Sequence, residues 1–159
     1  MFKKFVIAYD HRVDRKVIDR ATDALSQNGI QFFVVEDSNE TNDYPILASR
    51  AFELYKKEKA DGMLLMCGTG IGMNVVANKF DGIRSVLATS EEEAYFARRH
   101  EDANCIVFGV GYSDGLKEIK LCKRKMIRML NMFVSTEFEG DRHIRRVDEI
   151  AKIERGEKF

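Results

Sequence analysis

The sequence predicts a doubly wound α/β fold, a five-stranded parallel sheet covered by helices on both faces, and three observations carry that prediction. Short apolar runs of strand length recur at 5–9, 32–35, 63–67, 85–88 and 105–108. Their residues are apolar consecutively instead of alternately, as in strands buried on both faces. Amphipathic segments of helical period separate them, so strand and helix alternate along the chain.

The first strand, 5–9, follows Lys3-Lys4 and stops at Asp10. It is too short for the apolar core of a signal peptide, about 7 to 15 residues. The next segment, 15–28, sets Val17, Ile18, Ala21, Ala24 and Leu25 at helical spacing and ends at Gly29, a residue that stops helices. After the second strand comes Asp43-Tyr44-Pro45. This proline, the only one in the chain, suits the first turn of a helix through Ile46, Leu47, Ala51, Phe52 and Tyr55. The third strand runs into a glycine loop and a helix, and Ser90 can cap a fourth helix over 91–100. The longest helix is expected over 115–136, with Leu116, Ile119, Cys122, Met126, Leu130 and Phe133 on one face. The chain reads as one domain, 1–159. Its end, 136–159, has no sixth strand to cover and is expected to form an arm that folds back or packs on a partner subunit.

Size and charge narrow the function. A chain of 159 residues buries roughly two-thirds of its unfolded surface and needs no disulfide or metal staple. Lys plus Arg and Asp plus Glu are both 26, a formal net charge of zero. That gives no overall drive toward nucleic acid or an anionic membrane. No run approaches the roughly 20 apolar residues of a membrane span. Three cysteines without a pairing pattern, Cys67, Cys105 and Cys122, point to a reducing, cytoplasmic setting. The expected partner is a small molecule or another protein.

The strongest local signal is Cys67-Gly68-Thr69-Gly70-Ile71-Gly72, where a buried strand ends and a helix begins. Its glycines permit a tight turn and let backbone N–H groups approach an anion or a developing oxyanion. The same positive field favours a thiolate. Cys67 is therefore either a base or a buried filler of the strand end. The spacing is not that of a dinucleotide fingerprint, and no Gly-Lys-Ser/Thr follows for a P-loop. Asp10 and His11 end the first strand and Tyr44 follows the second, all on the sheet edge that carries Cys67. His100 stands near a helix C-terminus, as a dipole partner or as a proton shuttle. Arg142, His143, Arg145 and Arg146 form a cationic cluster in which Arg142 and Arg146 are one helical turn apart. It is either a solvated face or a fork for phosphate.

Taken in order, Asp10-His11, Asp43-Tyr44-Pro45, the Cys67–Gly72 loop, Ala77-Asn78-Lys79, Gly82-Ile83-Arg84, the stretch from His100 to Asn104 and Glu139-Gly140-Asp141-Arg142-His143 resemble the type B ribose-5-phosphate isomerase family. That family also contains the galactose-6-phosphate isomerase subunits. The resemblance covers nearly the whole chain and implies a Rossmann-like sheet, catalysis without cofactor or metal, and a homodimer, or a pair of dimers, with active sites between subunits. It implies isomerisation of a phosphorylated monosaccharide such as ribose 5-phosphate through a cis-enediolate. A tetrose, allose or galactose phosphate and a non-catalytic sugar-phosphate-binding protein are the alternatives. By resemblance Cys67 is the base, and His100 with Thr69 assists ring opening and proton transfer to oxygen. Asp10, Tyr44 and Asn104 contact the sugar, and Gly68, Gly70 and Gly72 offer N–H groups to the enediolate. His11, Arg142 and Arg146 hold the phosphate, with the arginines or the histidine coming from a partner subunit. This chain departs from the family at Arg12-Val13, Glu101 and Gly111, where a small residue and glycine, asparagine, and arginine are usual.

Overall fold

The computed structural model describes residues 1–35, 43–113, 118–119 and 122–158. Five parallel strands form the main sheet: β1 (Lys4–Tyr9), β2 (Gln31–Val34), β3 (Gly62–Cys67), β4 (Ser85–Leu87) and β5 (Cys105–Gly109), in the order β2-β1-β3-β5-β4. All six residues of β3 are buried, so the central strand carries the continuous apolar run that burial on both faces requires. Alternation within β1 divides the core. Phe5 and Ile7 pack toward α1 (Arg15–Gln27), α4 (Glu91–Glu101) and α5 (Lys123–Ser135). Val6 and Ala8 pack toward α2 (Tyr44–Glu58) and α3 (Ile71–Ala77).

The helix signals act as the residue types dictate. Asp14 accepts from the Lys16 N–H at the start of α1. Pro45 lies in the first turn of α2, where its missing N–H costs nothing. Ser90 and Glu93 form a reciprocal capping box on α4, satisfying two otherwise orphan donors.

One expected element is shorter. The helix expected over 115–136 starts at Lys123, with Cys122 as its cap. Ahead of it Tyr112–Ser113 (β6) and Glu118–Ile119 (β7) pair antiparallel, while Gly115 and Leu116 lie outside the described residues. The three-residue spacing of Leu116, Ile119 and Cys122 matched a helix, but ladder pairing took Ile119. The C-terminal arm is helical: α6 (Arg142–Glu154) folds back on α4 of its own chain, and its Glu154 carboxylate accepts from the Gly82 N–H at 3.0 and 3.1 Å. No helix among the described residues is long and apolar enough to cross a membrane.

Candidate active site

Chain direction creates a crevice between β1 and β3. From β1 the chain crosses outward to β2, and from β3 it crosses to the other side, so their carboxyl ends flank a topological switch point, where open α/β sheets bind ligands. Asp10 follows β1, its N–H donating to the Met66 carbonyl at 3.1 Å. Cys67 ends β3 and is 4% exposed. Gly70 follows with φ 76°, and a Cβ there would meet a Leu87 methyl at 2.5 Å and the Gly109 nitrogen at 2.8 Å. Only glycine satisfies both the torsion and the contact. The resulting turn aims the Gly70 N–H at Cys67 Sγ, 3.2 Å away.

The Gly70 donor, expected to face a ligand, therefore faces the sulfur of its own loop. Thr69 Oγ1 accepts from the Ile71 N–H at 3.3 Å, which leaves its O–H to donate. Gly72 sits in the first turn of α3, directly under the Tyr44 ring. Residues after β5 brace the loop from behind: the N–H groups of Val110 and Gly111 donate to the carbonyls of Cys67 and Gly68 at 3.0 and 3.1 Å. Cys67, Thr69, Gly68, Gly72, Tyr44 and Arg12 line one open cavity of about 420 Å³.

Sequence reasoning marked Arg12 as a departure from the family and gave it no role in binding. Its signal was local: a carboxylate two residues before an arginine. Asp10 Oδ1 accepts the Arg12 backbone N–H and Oδ2 accepts its guanidinium, each at 3.0 Å. Asp10 is 2% exposed, so the residue expected to contact sugar directly has both oxygens turned to Arg12. His11 is exposed beside them.

The other cysteines are placed for different ends. Burial pushes the Cys105 thiol up to about 12, which makes it inert. Cys122 is exposed at the α5 cap. There the backbone N–H groups of Lys125 and Arg124 lower its pKa. Only Cys67 faces the cavity.

A second cluster lies elsewhere. His100 and His143 stack face to face, with ring centroids 4.2 Å apart and planes 8° apart. His143 is 3% exposed. Its Nε2 faces Arg142 Nε at 3.3 Å and its Nδ1 faces an Arg146 guanidinium nitrogen at 3.5 Å. Burial first, then the charges of His100, Arg142 and Arg146, lower the His143 pKa, with Glu139 opposing. Glu139 also pairs with Arg99 at 2.9 Å and lies 3.8 Å from His100 Nε2. His100, Glu139 and His143 bring metal-ligating atoms within 4.8 Å of one another. Three arginines surround them, and parallel rings do not converge their lone pairs on one point, so the cluster suits an anion better than a cation.

Within one chain the topology sets His100 apart from Cys67. Met63 pairs with Cys105 and Cys67 with Gly109, so the start of β5 and the end of β3 lie at opposite sheet edges, separated by roughly 13 Å of strand. His100 precedes Cys105 by five residues, toward the amino edge. Asn104 is also on that edge. Its side chain accepts from the Arg84 N–H at 2.9 Å and donates to the Gly82 carbonyl at 2.8 Å, a latch between turns instead of a contact in the Cys67 pocket. Glu101 is exposed on the same helix end.

A thiol, a hydroxyl and backbone donors around a pocket at the switch point of a parallel sheet define a class: an α/β protein with a polar site for a small ligand. The family model described as Ribose/Galactose Isomerase matches residues 5–150, and the chain belongs to that family. It is 37% identical over 117 residues to ribose-5-phosphate isomerase B of Escherichia coli, spanning 74% of this chain and 73% of the relative. It is 31% identical over 141 residues to D-erythrulose-4-phosphate isomerase of Pectobacterium atrosepticum, spanning 86% of each. Its fold is similar to the ribose 5-phosphate isomerase of Thermotoga maritima, with TM-score 0.78, 30% identity and coverage of 94% and 98%. The type B enzyme of Leishmania infantum superposes with TM-score 0.80, 30% identity and coverage of 98% and 99%. The protein is a sugar-phosphate isomerase.

Proposed function

We propose that the protein interconverts an aldose phosphate and its ketose, ribose 5-phosphate and ribulose 5-phosphate first among them, with Cys67 as the base. The observation that carries this reading is the Gly70 N–H held 3.2 Å from Cys67 Sγ inside the switch-point pocket. In the proposed reaction the thiolate takes the proton from C2 of the open-chain aldose, and a cis-enediolate forms. The thiol returns the proton to C1, while the hydroxyl proton moves between O2 and O1. Removing a proton beside a carbonyl requires stabilisation of the oxyanion, and positioned donors supply several kcal/mol of it. Thr69 and the N–H groups of Gly68 and Gly72 are the candidates.

His100, Arg142 and Arg146 enter this reading from the partner of a homodimer. The separation of the two clusters within one chain supports that arrangement, because both sets become useful only when two chains meet. A tetrose phosphate is the second reading. It is favoured by Arg12, which occupies pocket space where the family has a small residue, and by the relative named for erythrulose 4-phosphate.

The test is solvent hydrogen exchange at substrate C2 across four-, five- and six-carbon sugar phosphates, without added metal. One length is expected to exchange, and Cys67→Ser to abolish it by about a thousandfold or more. Undiminished exchange in the variant removes the thiol from the mechanism. Sugar-phosphate binding without exchange in the native chain would favour a non-catalytic binding protein.

A further inference from the structure

We propose that Arg12 is a specificity-determining residue whose guanidinium takes the phosphate of the substrate in the Cys67 pocket, with Asp10 as the positioning residue that aims it. The inference rests on the sugar-phosphate reading and adds to it a particular residue and a particular end of the substrate. Among the residues that line the cavity, Arg12 alone is charged. Its side chain is 51% exposed, whereas that of the paired Asp10 is 2% exposed. The guanidinium therefore faces the space a ligand occupies, and the carboxylate lies behind it.

A guanidinium carries five N–H donors in a planar fork. One nitrogen is directed at Asp10, and the group has no other acceptor among the described residues. Donors thus remain for the two-pronged grip that matches a phosphate face. Asp10 fixes both ends of the residue, holding the backbone N–H with one oxygen and the side chain with the other, each at 3.0 Å. Much of the rotamer entropy of a long side chain is thus surrendered before the ligand arrives. The pair is neutral overall, so it does not attract anions from a distance; it recognises them at contact, where donors are near and the carboxylate is farther away. Phosphate is the substrate group that carries full charge before the reaction begins. The guanidinium should accordingly act on binding in the ground state more than on the rate of chemistry.

The experiment compares the native chain with Arg12→Ala, Arg12→Lys and the double variant Asp10→Asn/Arg12→Ala, which removes the buried negative charge that Arg12→Ala alone would leave without its cation. Inorganic phosphate is the binding probe, and ribose 5-phosphate or the exchanging sugar phosphate is the kinetic one. Arg12→Ala and the double variant are each expected to weaken phosphate binding and raise KM by about tenfold or more, with Arg12→Lys intermediate because it keeps charge but loses the fork. Phosphate affinity unchanged in both the single and the double variant would overturn the proposal. So would a fall in kcat at constant KM, which would place the guanidinium on the enediolate. If the native chain isomerises no sugar phosphate yet binds inorganic phosphate in an Arg12-dependent way, the isomerase reading fails and the phosphate site stands.

Discussion

The pocket at Cys67 and the cluster at His143 are assembled by opposite means. At Cys67 the backbone does the work: a left-handed glycine brings its N–H to the sulfur, and Arg12 is the one charged side chain lining the pocket. At His143 two helices bring side chains together, a stacked imidazole pair with arginines directed at both nitrogens of the buried ring. The first arrangement is local in sequence and rigid, because a Cβ added at Gly70 or Gly72 collides with its neighbours. The second joins residues 43 positions apart, so it exists only while α6 lies on α4. A backbone site suits an atom that must hold a fixed position. A side-chain cluster suits an anion that arrives and leaves.

This contrast can be broken from either side. The larger effect should come from Gly72→Ala, whose added Cβ would lie 2.6 Å from the Tyr44 ring. The ring must shift, and kcat/KM should drop about 10- to 100-fold while the chain stays folded; steady-state kinetics with a thermal-melt control reads both. A smaller effect is expected at the histidine cluster when the pH falls. The folded-state pKa of His143 lies below its ordinary 6.5, so the unfolded chain takes up the proton first and proton uptake favours unfolding. Stability should fall as the pH drops below about 6.5 toward the depressed folded value. The slope should flatten in His143→Gln. A melting midpoint measured between pH 7.5 and pH 5 checks the sign, and an unaltered slope in the variant would assign the loss to other groups.

What the sequence made legible follows the same division. The Cys67–Gly72 turn could be read directly because a strand end, three glycines and a helix start are adjacent. The sheet was legible from five apolar runs, each of which became a strand within about one residue at most ends. The start of α5 was not, because Ile119 fits the helical period although it pairs in β7. The Asp10–Arg12 clamp was missed because spacing cannot tell whether a carboxylate faces a ligand or its own neighbour. No local pattern could have shown His143 lying on His100. That contact depends on where an arm returns in three dimensions, as does the edge of the sheet on which His100 and Asn104 fall.

The central claim is that the active site joins the Cys67 pocket of one chain to the His100 cluster of another. Its most direct test is activity in a co-expressed mixture of Cys67→Ser and His100→Asn chains, each inactive alone. Random pairing makes half the dimers mixed, and each mixed dimer has one site with both native residues. Activity should therefore recover to about a quarter of the native value. A mixture that pairs but stays inactive would mean that each chain supplies its own histidine, and would contradict the account.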